Sequence, residues 1–115
     1  MRRNLNVLVV DDKAPARELL CRQIERSCPS LSVVQTACNA AEARNYIETL
    51  SPDVVFVDIR MPRESGFKLV ESYKDRDFYV VFATTFNEYA VEALRQRAFD
   101  YLLKPIDKEE LVACS

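Results

Sequence analysis

Histidine is absent from this chain of 115 residues, and glycine occurs once, at Gly66. Without histidine there is no Ser-His-Asp or Cys-His arrangement and no imidazole ligand for a metal, so the commonest general base is excluded. A single glycine rules out both G-x-G-x-x-G and the P-loop, which cradle phosphate with glycine-rich backbone. If phosphate is handled here, a metal ion and a lysine must do it. Four cysteines, Cys21, Cys28, Cys38 and Cys114, form no C-x-x-C pair, which leaves no zinc spacing. On one helix Cys21 and Cys28 would stand roughly 10 Å apart along the axis, too far for a bridge, and the four read as reduced, mostly packed thiols.

No apolar run approaches bilayer-spanning length, and Met1-Arg2-Arg3-Asn4 leads into a short apolar run without a cleavage pattern, so a cytoplasmic location and no membrane partner are expected. The formal net charge of -2 offers no concentrated positive face for nucleic acid. At this length the chain makes one domain with a real core.

What is present is a regular alternation. Apolar runs at 5–10, 31–37, 54–57, 79–83 and 101–103 read as strands, and Val54–Val57, apolar at consecutive positions and β-branched, has the pattern of a strand buried on both faces. Between them lie helical spacings: Ala16, Leu19, Leu20 and Ile24, with Pro15 in the first turn; Ala40, Ala43, Ile47 and Leu50, stopped by Ser51-Pro52-Asp53; then Leu69, Val70 and Tyr73. Asn87 is a plausible cap for a helix through about Arg95, and Asp107 with Glu110 resembles a capping box for a last helix. Five repetitions of strand then helix demand a doubly wound α/β domain with a parallel sheet and right-handed crossovers. Only about eight residues follow Asp107, short of an average helix, and the chain is expected to be a piece of a longer protein.

The strands end in polar residues: Asp11 and Asp12 after the first, Asp58 after the third, Thr84 and Thr85 after the fourth, Lys104 after the fifth. In an open parallel sheet the carboxyl ends share one edge, where ligands bind at the point of strand-order reversal. Three converging carboxylates cannot all stay ionised without a cation, and magnesium, or manganese in its place, suits a hard oxygen site of this kind. Lys104 and the Thr84 hydroxyl could then receive phosphoryl oxygens, with Asp58 itself as phosphoryl acceptor. Singly, each of these residues has an ordinary explanation as a turn, cap or strand end; their coincidence at one sheet edge points to a site.

The stretches Val7-Leu8-Val9-Val10-Asp11-Asp12, Val57-Asp58-Ile59-Arg60-Met61-Pro62 with Gly66, Ala83-Thr84 and Asp100-Tyr101-Leu102-Leu103-Lys104-Pro105 resemble receiver domains of bacterial two-component response regulators over essentially the whole chain. Within that family, residues 86–94 and 98–102 look most like the LytR/AlgR group, whose receiver precedes a LytTR-type DNA-binding domain. The resemblance implies a flavodoxin-like strand order 2-1-3-4-5 over residues 1–115, with a separate output domain following. It implies Asp58 as phosphoacceptor, magnesium held by Asp12, Asp58 and the Arg60 carbonyl with Asp11 acting through water, and phosphoryl contacts from the backbone at Arg60 and Thr85. Thr84 and Tyr101 would form the switch pair, Lys104 would pair with a phosphoryl oxygen, and the Lys104-Pro105 bond would be cis. The domain would not be an enzyme in its own right. Its partners would be a sensor histidine kinase and a second copy, meeting through the fourth helix, fifth strand and fifth helix (Glu88, Glu92, Arg95, Gln96), with DNA reached only through the output domain. Two departures stand out: Thr85 where the family prefers alanine or glycine, and the long cation of Arg60 at the pocket mouth.

Two rival classes share much of this chemistry. A magnesium-dependent phosphatase of haloacid-dehalogenase type would carry Asp-x-Asp after the first strand, where this chain has Asp11-Asp12-Lys13, and would need room for a substrate-selecting cap. A receiver-shaped interaction module that is never phosphorylated would have no physical reason to keep buried charges together.

Overall fold

The computed structural model describes residues 4–85, 88–95, 97–104 and 106. In chain order it contains β1 (Leu5–Val10), α1 (Ala14–Ser27), β2 (Leu31–Ala37), α2 (Ala40–Leu50), β3 (Val54–Val57), α3 (Gly66–Glu71), β4 (Tyr79–Thr84), α4 (Ala90–Arg95) and β5 (Asp100–Leu103). The five strands form one parallel sheet in the order β2-β1-β3-β4-β5, as the alternating pattern and the family resemblance require. Asn87, Gln96, Pro105, the Asp107/Glu110 cap and Cys114 lie outside the described residues, so the last helix and the Lys104-Pro105 bond do too.

Successive strand residues point to opposite faces, and both faces are buried. Leu8, Val10, Val55, Val57, Val80 and Phe82 pack with Ala40, Ala43 and Ile47 of α2, Leu69 and Val70 of α3, and Ala93 of α4. Val7, Val9, Phe56, Val81 and Leu102 pack on the other side with Leu20 and Ile24 of α1. This is why the strands read as continuous apolar runs rather than alternating ones. Each helix uses a narrower stripe than its apolar spacing suggests: Leu19 and Leu50 are exposed, and Tyr73 falls beyond the end of α3, where its N–H bonds the Val70 carbonyl.

Local chemistry sets the boundaries. Pro15 sits in the first turn of α1, where its missing N–H costs nothing. Asn39 caps α2 by accepting from the Glu42 N–H at 2.8 Å, while the Glu42 carboxylate accepts from the Cys38 N–H at 2.9 Å, a near relative of the capping box. Ser51 ends α2 in the left-handed region at φ 46°, and Pro52 follows. Cys21 and Cys38 are free thiols; Cys28 is buried in the core beside α1, and burial raises the Cys21 pKa first of all.

Candidate functional site

Strand register builds the pocket. Val10 is paired with Val57 across β1 and β3, so the next residue on each strand, Asp11 and Asp58, emerges at the same level. Backbone bonds fix both: Asp11 N–H to Ala37 C=O and Asp58 N–H to Val10 C=O, each 3.0 Å. Thr84 is paired with Leu103, and the Lys104 N–H bonds the Thr84 carbonyl at 2.7 Å. The order β2-β1-β3 makes β1/β3 the switch point of the sheet, the position where open α/β sheets bind ligands.

Asp11, Asp58 and Thr84 are buried. Oxygens of Asp11, Asp12 and Asp58 all lie within 4.8 Å of one another. Lys104 Nζ makes a close ion pair with Asp11 Oδ2 and stands 3.5 Å from Asp58 Oδ2. The other Asp11 oxygen accepts from the Lys13 N–H at 2.9 Å, and Arg17 Nη1 donates to the Asp11 carbonyl at 2.8 Å. Asp12, half-buried, pairs with the exposed Lys13 at 3.3 Å.

Asp58 is the strained member. Its Oδ1 is buried with no hydrogen-bond partner among the described residues. Burial pushes its carboxyl pKa up; the Lys104 cation opposes this, the Asp11 carboxylate adds to it, and the Thr84 hydroxyl and the Ile59 N–H lower it. A buried carboxylate oxygen without a donor is costly, and a hard cation beside three carboxylates would remove both the desolvation and the like-charge cost. The residues therefore fit a small divalent ion: an all-oxygen donor set at a mouth that Asp12 leaves partly open to water.

Of the residues anticipated from sequence, Asp11, Asp12, Asp58, Thr84 and Lys104 meet in this pocket. Arg60 and Thr85, two residues past Asp58 and one past Thr84, are exposed. Tyr101 is half-buried against the α2/α3/α4 core, its hydroxyl pKa raised by burial first, with the Tyr89 backbone N–H acting against that. Beyond these, the structure brings in Gly66. Its N–H bonds the Ile59 carbonyl at 2.7 Å, and a side chain there would overlap the Asp58 carbonyl oxygen and stand 3.1 Å from the carbonyl carbon. The first turn of α3 thus lies directly on the backbone of Asp58, an approach only glycine permits. Arg17, Arg44 and Glu64 were not distinguishable in the sequence from ordinary surface charges.

A parallel sheet of order 2-1-3-4-5 with an acidic cluster at its switch point and a lysine facing it defines a receiver-type α/β domain. The chain belongs to the response regulator receiver domain family, whose sequence model matches residues 7–114. It is 44% identical over 108 residues to the transcriptional regulatory protein BtsR of Salmonella typhi, a match that spans 93% of this chain and 45% of BtsR. The chain thus spans about half the length of the curated relatives it matches. Among solved structures, the response regulatory domain of mrkE from Klebsiella pneumoniae superposes with a TM-score of 0.87 at 26% identity, covering 96% of this chain and 91% of that one. A DNA-binding response regulator of the LuxR family from Staphylococcus aureus does so with a TM-score of 0.86 at 25% identity, covering 96% and 94%. Receiver domains are regulatory rather than catalytic as a class and bind magnesium in an acidic pocket. Among the described residues no helix is long and apolar enough to cross a membrane.

Proposed function

We propose that residues 1–115 form a phosphoacceptor switch in which Asp58 receives a phosphoryl group from a sensor histidine kinase in a magnesium-dependent step. The observation that carries this is the Asp58 carboxylate: buried, short of a hydrogen-bond partner at Oδ1, and set between two carboxylates and Lys104. Asp12, Asp58 and the Arg60 carbonyl would hold the ion, with Asp11 acting through water; manganese would serve as well. The ion supplies charge neutralisation for the approach of a phosphoryl group. An Asp58 oxygen forms the new P–O bond as the donor's bond to phosphorus breaks, and the leaving group departs with the electron pair. Lys104 then exchanges Asp11 for a phosphoryl oxygen, a short move for a point charge already between the two. Backbone N–H groups at Arg60 and Thr85 receive further oxygens.

The new charge draws the Thr84 hydroxyl toward it while Tyr101 turns inward, which biases the surface of α4 and β5. That surface would pair with a second copy and pass the state to a C-terminal output domain acting on transcription, a reading supported by BtsR being a transcriptional regulatory protein. The LytTR type of output rests on residues 86–94 and 98–102; the LuxR-family description of a structural neighbour points to a different output.

Intact-mass measurement after incubation with magnesium and acetyl phosphate tests the acceptor. One added phosphoryl is expected, lost in Asp58→Asn and without magnesium. Repeated turnover of phosphate esters would instead indicate the phosphatase class, and no addition from acetyl phosphate or a cognate kinase would indicate an unphosphorylated interaction module.

A further inference from the structure

We infer that the ion pair between Arg44 of α2 and Glu64 of the 59–65 loop is a positioning device that sets the affinity of the acidic pocket for a divalent cation. This rests on the reading that the pocket is a metal centre with the Arg60 carbonyl as a ligand. Two of the proposed ligands, Asp12 and Asp58, follow strands whose ends are bonded into the sheet. The third lies on a loop that leaves the sheet.

Ile59 and Met61 of that loop are buried in the core, whereas Arg60, Pro62 and Arg63 are exposed. The loop borders an open groove of about 560 Å³, lined by Asp12, Cys38, Asn39, Pro62, Arg63 and Glu64 among others. Arg63 is held at φ 71°, a left-handed conformation that a non-glycine residue adopts only when its surroundings impose it. Beside the groove, Arg44 meets Glu64 in a two-pronged contact, Nη1 to Oε1 at 2.5 Å and Nη2 to Oε2, and Nη2 also donates to Ser72 Oγ at 2.8 Å. One guanidinium therefore joins α2 to the loop and to the cap at the far end of α3. Both side chains are more than half-buried, and the fork geometry fixes orientation as well as distance. The mutual contact lowers the Glu64 pKa and raises that of Arg44, each with the other as the first cause.

Calorimetric titration of magnesium into the parent, Arg44→Ala, Glu64→Ala and the double variant tests this, with thermal midpoints recorded beside it. Both single variants are expected to raise the magnesium Kd by about tenfold, in line with what groups that orient a ligand contribute, and the double variant by no more than the worse single. Charge alone predicts opposite signs: losing Arg44 would tighten cation binding and losing Glu64 would weaken it. Opposite signs, or an unchanged Kd despite a lowered midpoint, overturn the inference. Should Glu64→Ala not fold, the sign of the Arg44→Ala change decides alone. No magnesium binding by the parent would overturn the metal-centre reading itself, whereas binding lost in Asp12→Asn but unmoved by Arg44→Ala would overturn only the positioning role.

Discussion

At the scale of single residues, the pocket holds Asp58, the proposed acceptor, at a cost in stability. Asp58 has a raised pKa because it is buried beside Asp11, so the folded state binds a proton more tightly than the unfolded chain. Without divalent ions, the contribution of this group to stability is fully present below the unfolded carboxyl pKa and is lost as pH rises through the raised folded value. Asp58→Asn removes that dependence and the unpartnered anionic oxygen, and should stabilise the metal-free domain by about 1 kcal/mol at neutral pH; denaturant unfolding at two pH values reads both effects. Gly66→Ala should act in the opposite direction, because a methyl there meets the Asp58 carbonyl. Overpacking against backbone costs about 1–3 kcal/mol, and the displaced Asp58 should also accept phosphoryl more slowly, a rate that mass-resolved time courses would show.

At the scale of elements, each helix is held by one narrow stripe and, at α2, by chemistry at its start. Ile24 is fully buried between α1 and the sheet, and Ile24→Ala should cost about 2–5 kcal/mol in urea unfolding. Asn39→Ala should cost about 1 kcal/mol, since it strips the cap from the Glu42 N–H without touching the core. The Asn-x-x-Glu signal for that cap was present in the sequence at 39–42, whereas the exposure of Leu19 and Leu50 was not. Apolar spacing reports which residues share a helix face, but how wide a stripe the sheet covers depends on where the helix axis lies over it. The surface of α4 shows the same limit. Arg95 pairs with Glu92 of its own helix at 4.0 Å, a contact worth little in water, and Arg95→Ala should abolish phosphorylation-dependent dimerisation in sedimentation measurements if this face is the interface.

At the scale of the whole molecule, a divalent ion held by the proposed site would be thermodynamically linked to the fold. A ligand that binds the folded state alone stabilises it by mass action, about 1.4 kcal/mol at tenfold excess over Kd. Magnesium should therefore raise the thermal midpoint, a chelator should reverse the gain, and Asp12→Asn should remove it; a midpoint indifferent to magnesium would show that the three carboxylates do not hold the ion.

The order of elements, the burial of both sheet faces and the residues at the strand ends were all determined by the sequence alone. Period-two and period-3.6 patterns are local, and a run of strand-helix units can close into a parallel sheet in few ways. The tertiary structure decided the rest. Whether Lys104 faces Asp11 or Asp58 first, which Asp58 oxygen is left without a donor, how closely α3 rides on the Asp58 backbone, and that Arg44 of α2 reaches Glu64 all depend on distances between segments remote in the chain. No local period encodes those distances; they are set by the packing of helices against the sheet and by the path of the loops between them.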